Sequence, residues 1–311
     1  MSSVIQVTGL SKYFKDMKAV DDLSFSVKKG EVYGFLGQNG AGKSTTIRML
    51  LSLITPSRGT IELFGMNLFT HRKQILRQLG AVIESPDLYT YLTGYQNLSL
   101  FARMSGMNVE KKTLLGQLER VGLAERSESK VKTYSQGMKQ RLGIAVALVH
   151  DPGLIILDEP TNGLDPQGIA DIRNLILDLG RNRGKTVLIS SHLLSEIELV
   201  ADRVLIIDKG KKMMEGSISE LLDPSRSIVE LQTLNPDNAA QIIAMTHWQS
   251  FLQKRRHDQF IFKMNKQDIP QLTAQLAEKG VQILRVQPRH SLEDYFLSLT
   301  SPNQHVEAFA N

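Results

Sequence analysis

The chain of 311 residues contains no cysteine and only one tryptophan, and aromatic residues make up 6% of it. The absence of cysteine fits a reducing compartment such as the cytosol and excludes disulfide support for the fold. Long apolar runs are missing too. The longest, near Leu142–Val149, is interrupted by Gly143 and is far shorter than the ~18–20 residues needed to cross a bilayer. The N-terminus has neither the charged start nor the apolar stretch of a signal peptide, so any association with a membrane is expected to come through a partner. Charge is not gathered into one region. The formal net charge is +5, but Lys28-Lys29, Lys209 to Lys212 and Lys254-Arg255-Arg256 are short, scattered clusters. A nucleic-acid surface would show a basic stripe with interleaved stacking aromatics, so no specific nucleic-acid partner is expected. An apolar content of 41% over this length allows one large domain and a small one.

What is present begins with Gly37-Gln38-Asn39-Gly40-Ala41-Gly42-Lys43-Ser44-Thr45, of the form GxxxxGK[ST]. Glu31–Leu36 before it reads as a buried strand and Thr45–Ile54 after it as a helix. That context lets free backbone N–H groups and the positive end of a helix converge on phosphate. Gly37, Gly40 and Gly42 let the backbone approach closely, Lys43 supplies a charge for the β- and γ-phosphates, and Ser44 offers a hydroxyl to Mg²⁺. A nucleotide and Mg²⁺ are therefore the expected ligands.

Leu154-Ile155-Ile156-Leu157 is a fully apolar run suited to a parallel strand buried on both faces, and Asp158 and Glu159 stand at its end. Ligands of open α/β sheets bind at such strand ends. Asp158 is expected to hold the metal, and Glu159 to polarise the water that attacks the γ-phosphorus. A further strand, Thr186–Ser190, leads into Ser191-His192, where a side chain can reach the same phosphate.

The third motif, Tyr134-Ser135-Gln136-Gly137-Met138 followed by Lys139-Gln140-Arg141, places a serine and a glycine at a helix start, an arrangement that binds anions. The three motifs in this order resemble the nucleotide-binding subunit of an ATP-binding cassette (ABC) transporter, whose signature is usually written L-S-G-G-Q. The resemblance implies an α/β P-loop NTPase fold with a mostly parallel core sheet, an antiparallel β subdomain and a helical subdomain. It makes His192 the switch histidine and places Ser135 and Gly137 over the γ-phosphate of an opposite subunit. Asp165, within Asn162–Pro166, would cross the dimer interface. Phe14 would stack on adenine, with Tyr13 the lesser candidate and an ordinary packing role the alternative for Phe14. Two chains would then pair head to tail, or one chain with a second cassette. Such a pair would drive a separate membrane permease from the inner, cytoplasmic face of the membrane. One position departs from the family: Glu84 stands where a glutamine usually senses metal and water. The phrase around it, I-E-S-P-x-L-Y-x-x-L-T-x-x-Q-N-L, is similar to the bacitracin and lantibiotic resistance exporters, which implies export of a drug or peptide antibiotic. Two other readings stay open. One is a soluble ABC ATPase acting on nucleic acid or the ribosome, though the chain has neither a long coiled-coil insertion nor a second cassette. The other is an ATP-gated regulatory module, against which Glu159 and His192 argue.

The nucleotide-binding domain is expected over residues 1–222, with the helical subdomain at about 85–150. Apolar residues there recur at helical spacing, as in Leu114, Leu115, Leu118 and Val121. Tyr89, Tyr91 and Tyr95 suit either a docking surface for the permease or local core. Residues 223–311 read as a small α+β domain of ferredoxin-like order, with strands at Ser227–Thr233, Gln259–Met264 and Gln282–Val286, and helices at Asn238–Met245 and Ile269–Lys279. A closing element is expected at Ser291–Thr300.

Overall fold

The computed structural model describes residues 3–15, 17–222, 227–289 and 292. The chain divides into two compact units, Met1–Ser217 and Ile218–Asn311, a few residues ahead of the boundary expected at Leu222.

The first unit opens with two long strands, β1 (Ser3–Phe14) and β2 (Met17–Lys28), then β3 (Val32–Leu36), helix α1 (Lys43–Leu50), β4 (Arg58–Leu63), β5 (Met66–Asn67), α2 (Arg72–Leu76) and β6 (Leu79–Ile83). Helices α3 (Gly94–Met104), α4 (Lys111–Arg120) and α5 (Gln136–Ala147) follow. The chain then returns to alternation with β7 (Leu154–Asp158), α6 (Pro166–Leu177), β8 (Thr186–Ser191), α7 (Leu194–Glu198), β9 (Arg203–Asp208) and β10 (Lys211–Ser217). An antiparallel sheet runs β2-β1-β4-β5, and a six-stranded sheet runs β10-β9-β3-β8-β7-β6. From β9 to β6 neighbouring strands are parallel, and β10 adds an antiparallel edge. Every residue of β3 and β7 is buried, which is why both segments, apart from Asp158 at the end of β7, are free of charged residues. β3 lies between β8 and β9, so the glycine loop after it emerges at the carboxyl edge of the sheet, where such folds bind ligands.

Several local readings differ from expectation for identifiable reasons. Helix α1 ends at Leu50 rather than Ile54 because Ser52 adopts a left-handed φ of 56°, which turns the chain out of the helix. β1 and β2 form one long hairpin, and register shifts along it let the ribbon bend without breaking. At the start of α3, Thr93 and Gln96 make a reciprocal capping box. The Thr93 hydroxyl accepts from the Gln96 N–H at 3.1 Å, and the Gln96 side chain accepts from the Thr93 N–H at 2.9 Å. Of the three tyrosines in this region, Tyr91 is 66% and Tyr89 39% exposed, which favours a surface over a core role for those two rings.

A charged network braces β3 against the β9–β10 hairpin. Glu215 accepts hydrogen bonds from the Tyr33 hydroxyl (2.8 Å), Arg203 (2.9 Å) and Lys212 (3.1 Å), and Arg203 also approaches Glu31 at 3.5 Å. Burial, and then the charge of Glu215, hold the Tyr33 phenol protonated well above the usual tyrosine range. Removing one member strands the others, so Glu215→Ala is expected to destabilise the unit by about 2–3 kcal/mol. Thermal unfolding followed by circular dichroism should then show a midpoint lower by roughly 5–10 °C. A variant melting with the parent would mean that the network contributes nothing to stability.

The second unit begins with the short α8 (Ile218–Leu221). It continues through β11 (Ser227–Thr233), α9 (Pro236–Ala244), β12 (Leu252–Arg256), β13 (Gln259–Met264), α10 (Ile269–Glu278) and β14 (Ile283–Arg289). Its sheet runs β12-β13-β11-β14 with every neighbour antiparallel, the split βαβ arrangement of ferredoxin-like domains. Val229, Leu231, Phe260, Phe262 and Trp248 form its core, apart from that of the first unit, with the Trp248 indole donating to Gln275 at 2.9 Å. Except for Leu292, the closing element expected at Ser291–Thr300 lies outside the described residues.

Candidate nucleotide site

A cavity of about 460 Å³ opens over the glycine loop, lined by Gln38, Asn39, Gly40, Gly42, Lys43, Ser44 and Thr45 from the loop and by Glu159 from the end of β7. Gly37 and Ala41 stand behind this lining. The Gly37 carbonyl accepts from Lys43 Nζ at 2.6 Å, and Ala41 is buried. Gly42 has a φ of 105°, and a Cβ there would lie 2.5 Å from the Ala19 carbonyl, so only glycine lets β2 close over the loop. Met17, Lys18, Ala19 and Lys209 complete the wall. The sequence motifs do not reach these four, because they come from the β1–β2 and β9–β10 hairpins. The second hairpin is tied to the loop by the Gly210 N–H donating to the Ala41 carbonyl at 2.9 Å. Phe14 is 43% exposed with Lys12 Nζ 5.0 Å from its ring centroid, and it pairs across the first hairpin with Met17 of the wall.

Glu159 gathers the reactive groups. Its Oε1 lies 3.1 Å from Lys43 Nζ, and its Oε2 lies 2.8 Å from His192 Nδ1 and accepts from the His192 backbone N–H at 3.3 Å. An ionised carboxylate can only accept, so Nδ1 carries the proton and Nε2 is left for a ligand. The backbone of Glu159 is left-handed at φ 48°, an uncommon conformation for a residue with a side chain. Beside it, Asp158 is fully buried. One of its oxygens accepts from the Ser190 hydroxyl at 2.5 Å, and the other, Oδ2, has no hydrogen-bond partner.

A group of three or more His, Cys, Asp or Glu side chains able to hold a metal does not occur among the described residues. Mg²⁺ needs less than that: one or two carboxylate or hydroxyl oxygens, with phosphate and water completing the octahedron. Ser44 lines the cavity, and Asp158, buried and outside that lining, carries the orphaned Oδ2; both are oxygen donors of the kind such an ion takes. Glu84 is placed differently from expectation. It takes a left-handed φ of 55° just after β6, and its carboxylate pairs with Arg48 at 2.6 Å, 63% exposed and outside the cavity lining.

Ser135, Gly137 and Asp165 lie together, but not in the cavity lining of their own chain. Ser135 caps α5, accepting from the Met138 N–H at 3.2 Å, and Asp165 caps α6, accepting from the Gly168 N–H at 3.0 Å. The two segments touch through the Gln136 side chain, which donates to the Asn162 carbonyl at 3.3 Å. Two further residues escaped the sequence reading. Ser190 bonds both carboxylate residues, and Glu196 accepts from the Thr161 hydroxyl at 2.5 Å, joining the segment after β7 to the helix after His192.

The family model described as "ABC transporter" matches residues 20–162. The bacitracin transport ATP-binding protein BcrA of Bacillus licheniformis is 44% identical over 304 residues, covering 96% of this chain and 98% of that protein. The lantibiotic transport ATP-binding protein SrtF of Streptococcus pyogenes is 40% identical over 228 residues, 73% of this chain and 95% of the relative. Among solved structures, cbiO1 from Clostridium perfringens superposes with a TM-score of 0.65 at 29% identity, covering 71% of this chain and 91% of the other. A second structure, titled as the ATP binding subunit of an ABC transporter, superposes with a TM-score of 0.63 at 32% identity over 70% and 91% of the two chains. With a phosphate cavity, a strand-end carboxylate pair and end-to-end likeness of this strength, the chain belongs to the ABC transporter family and is an ATPase of that kind.

Proposed function

We propose that this ATPase powers export of a drug or peptide antibiotic through a separate membrane permease, working as a head-to-tail pair of cassettes. The observation that carries the catalytic part is Glu159 held between Lys43 and His192 at the mouth of the glycine loop. ATP lays its β- and γ-phosphates on the loop N–H groups and Lys43, and Phe14 stacks on the base. The incoming γ-phosphate takes over Lys43, and Glu159 is released to accept a proton from the attacking water. His192, oriented through Nδ1, meets the γ-phosphate with Nε2. Mg²⁺ arriving with the nucleotide would be held by Asp158 and Ser44 and would neutralise charge on the phosphates. Ser135 is exposed and Gly137 half-buried in the single chain, which suits a site completed by an opposite subunit.

The likeness to bacitracin and lantibiotic transport proteins supports the export reading and the class of cargo. No described helix is long and apolar enough to cross a membrane; attachment at the inner face through the permease is inferred from the likeness to transport ATP-binding proteins. The exposed Tyr89 and Tyr91 suit the docking of that partner. Expressing the chain together with its permease should raise several-fold the bacitracin or lantibiotic concentration that cells survive. Lys43→Ala should abolish that gain. Protection that persists in Lys43→Ala would overturn the motor role.

A further inference from the structure

β8 is buried along its whole length, and beyond its apolar centre Val187-Leu188-Ile189 it places a fully buried serine at position 190. A buried hydroxyl needs partners, and its usual recourse is the nearby main chain of its own segment. Ser190 bonds the neighbouring strand instead. Its hydroxyl donates to Asp158 Oδ1 at 2.5 Å, and its oxygen accepts from the Glu159 N–H at 2.9 Å. One hydroxyl therefore holds two consecutive residues that do different work. The bond to Asp158 commits Oδ1 and leaves Oδ2 as the oxygen without a partner. The bond to the Glu159 N–H falls where the backbone leaves the extended region for φ 48°, the turn from which the Glu159 side chain meets both Lys43 and His192.

We propose that Ser190 is a positioning residue for hydrolysis, orienting the carboxylate of Asp158 toward the metal and locking the backbone of Glu159 for its work on water. The inference rests on the roles proposed above for those two residues. A hydroxyl in this place raises the rate of the chemical step and the contribution of the metal to binding. It leaves untouched the grip of the glycine loop on phosphate, which Ser190 does not contact.

The test uses the full chain carrying Ser190→Ala, which removes one oxygen and adds no bulk. Steady-state hydrolysis should fall about 10- to 100-fold in kcat, as expected when reacting groups are displaced by a fraction of an ångström, with KM for ATP nearly unchanged. Fluorescent-nucleotide titrations should give parental affinity in EDTA and a reduced gain in affinity when Mg²⁺ is added. Ser190→Thr, which retains the hydroxyl, should recover most of both losses. Parental kcat and Mg²⁺ response in Ser190→Ala would overturn the proposal. So would an equal loss of affinity in EDTA together with a lowered melting temperature, since that pattern marks a packing role only. Glu159→Gln run alongside separates the two levels. If it hydrolyses ATP normally, the roles assigned to the carboxylates fail. If it is inactive while Ser190→Ala is normal, only the role of Ser190 fails.

Discussion

Replacing Glu159 with glutamine should cut ATP hydrolysis by about 10²–10⁴-fold while leaving nucleotide binding intact. Glutamine preserves size and can still donate to or accept from its neighbours, but it cannot take a proton from water. It also removes the negative charge that lies 3.1 Å from Lys43 Nζ. In the parent that charge competes with phosphate for the lysine, so the variant should bind ATP at least as tightly. If ATP joins two chains and hydrolysis releases them, the variant should collect as a dimer on size exclusion with ATP and return to monomer without it. Substantial turnover by Glu159→Gln would remove Glu159 from the role of base. A variant that is inactive but monomeric at saturating ATP would mean that the permease is needed to align the two halves.

Ser135→Arg carries the second large effect, complete loss of hydrolysis with unchanged ATP affinity in the monomer. Ser135 is exposed and outside the cavity lining of its own chain, so an arginine there meets solvent until a partner closes over it. Losing the cap on α5 costs about 1 kcal/mol, too little to unfold the domain. A mixing experiment makes the result decisive. Neither Ser135→Arg nor Glu159→Gln should hydrolyse ATP alone. A mixed pair has one site with Glu159 from the first chain and Ser135 from the second, so activity should reappear when the two are combined. Continued silence in mixtures shown to form heterodimers would place the serine and the glutamate in service of the same chain and sink the head-to-tail reading.

Much of this architecture can be read from residue order because its determinants are local. The glycine loop, the β7 run and its two carboxylates are contiguous segments, and the cavity lining draws most of its residues from the first of them. In the second unit, β11 and β13 stand out because buried residues alternate with half-buried or exposed ones along them. β12 does not, because Leu252-Gln253-Lys254-Arg255-Arg256 is a polar edge strand paired on one side only. The residues hardest to read are those whose partners are remote. Ser190 and Glu196 reach Asp158, Glu159 and Thr161 from more than 30 positions away, and neither belongs to a motif. Glu84 is the converse case. Its place after β6 is visible in the sequence, but Arg48, brought to it by α1, decides where its carboxylate goes.

The position of β3 has a consequence for how the protein is made. That strand is complete by residue 36, but both of its neighbours, β8 and β9, are encoded after residue 185. At about 5–20 residues per second, the nascent chain waits roughly 10–40 s before β3 can be paired on both sides. Through that interval the antiparallel sheet can already close, but the apolar β3 leaves the ribosome without its partners, the kind of transient edge that aggregates or engages chaperones. The phosphate cradle, among the first parts to be translated, is among the last to become able to bind. High contact order at the nucleotide site thus delays ATP capture until the catalytic strands have been synthesised.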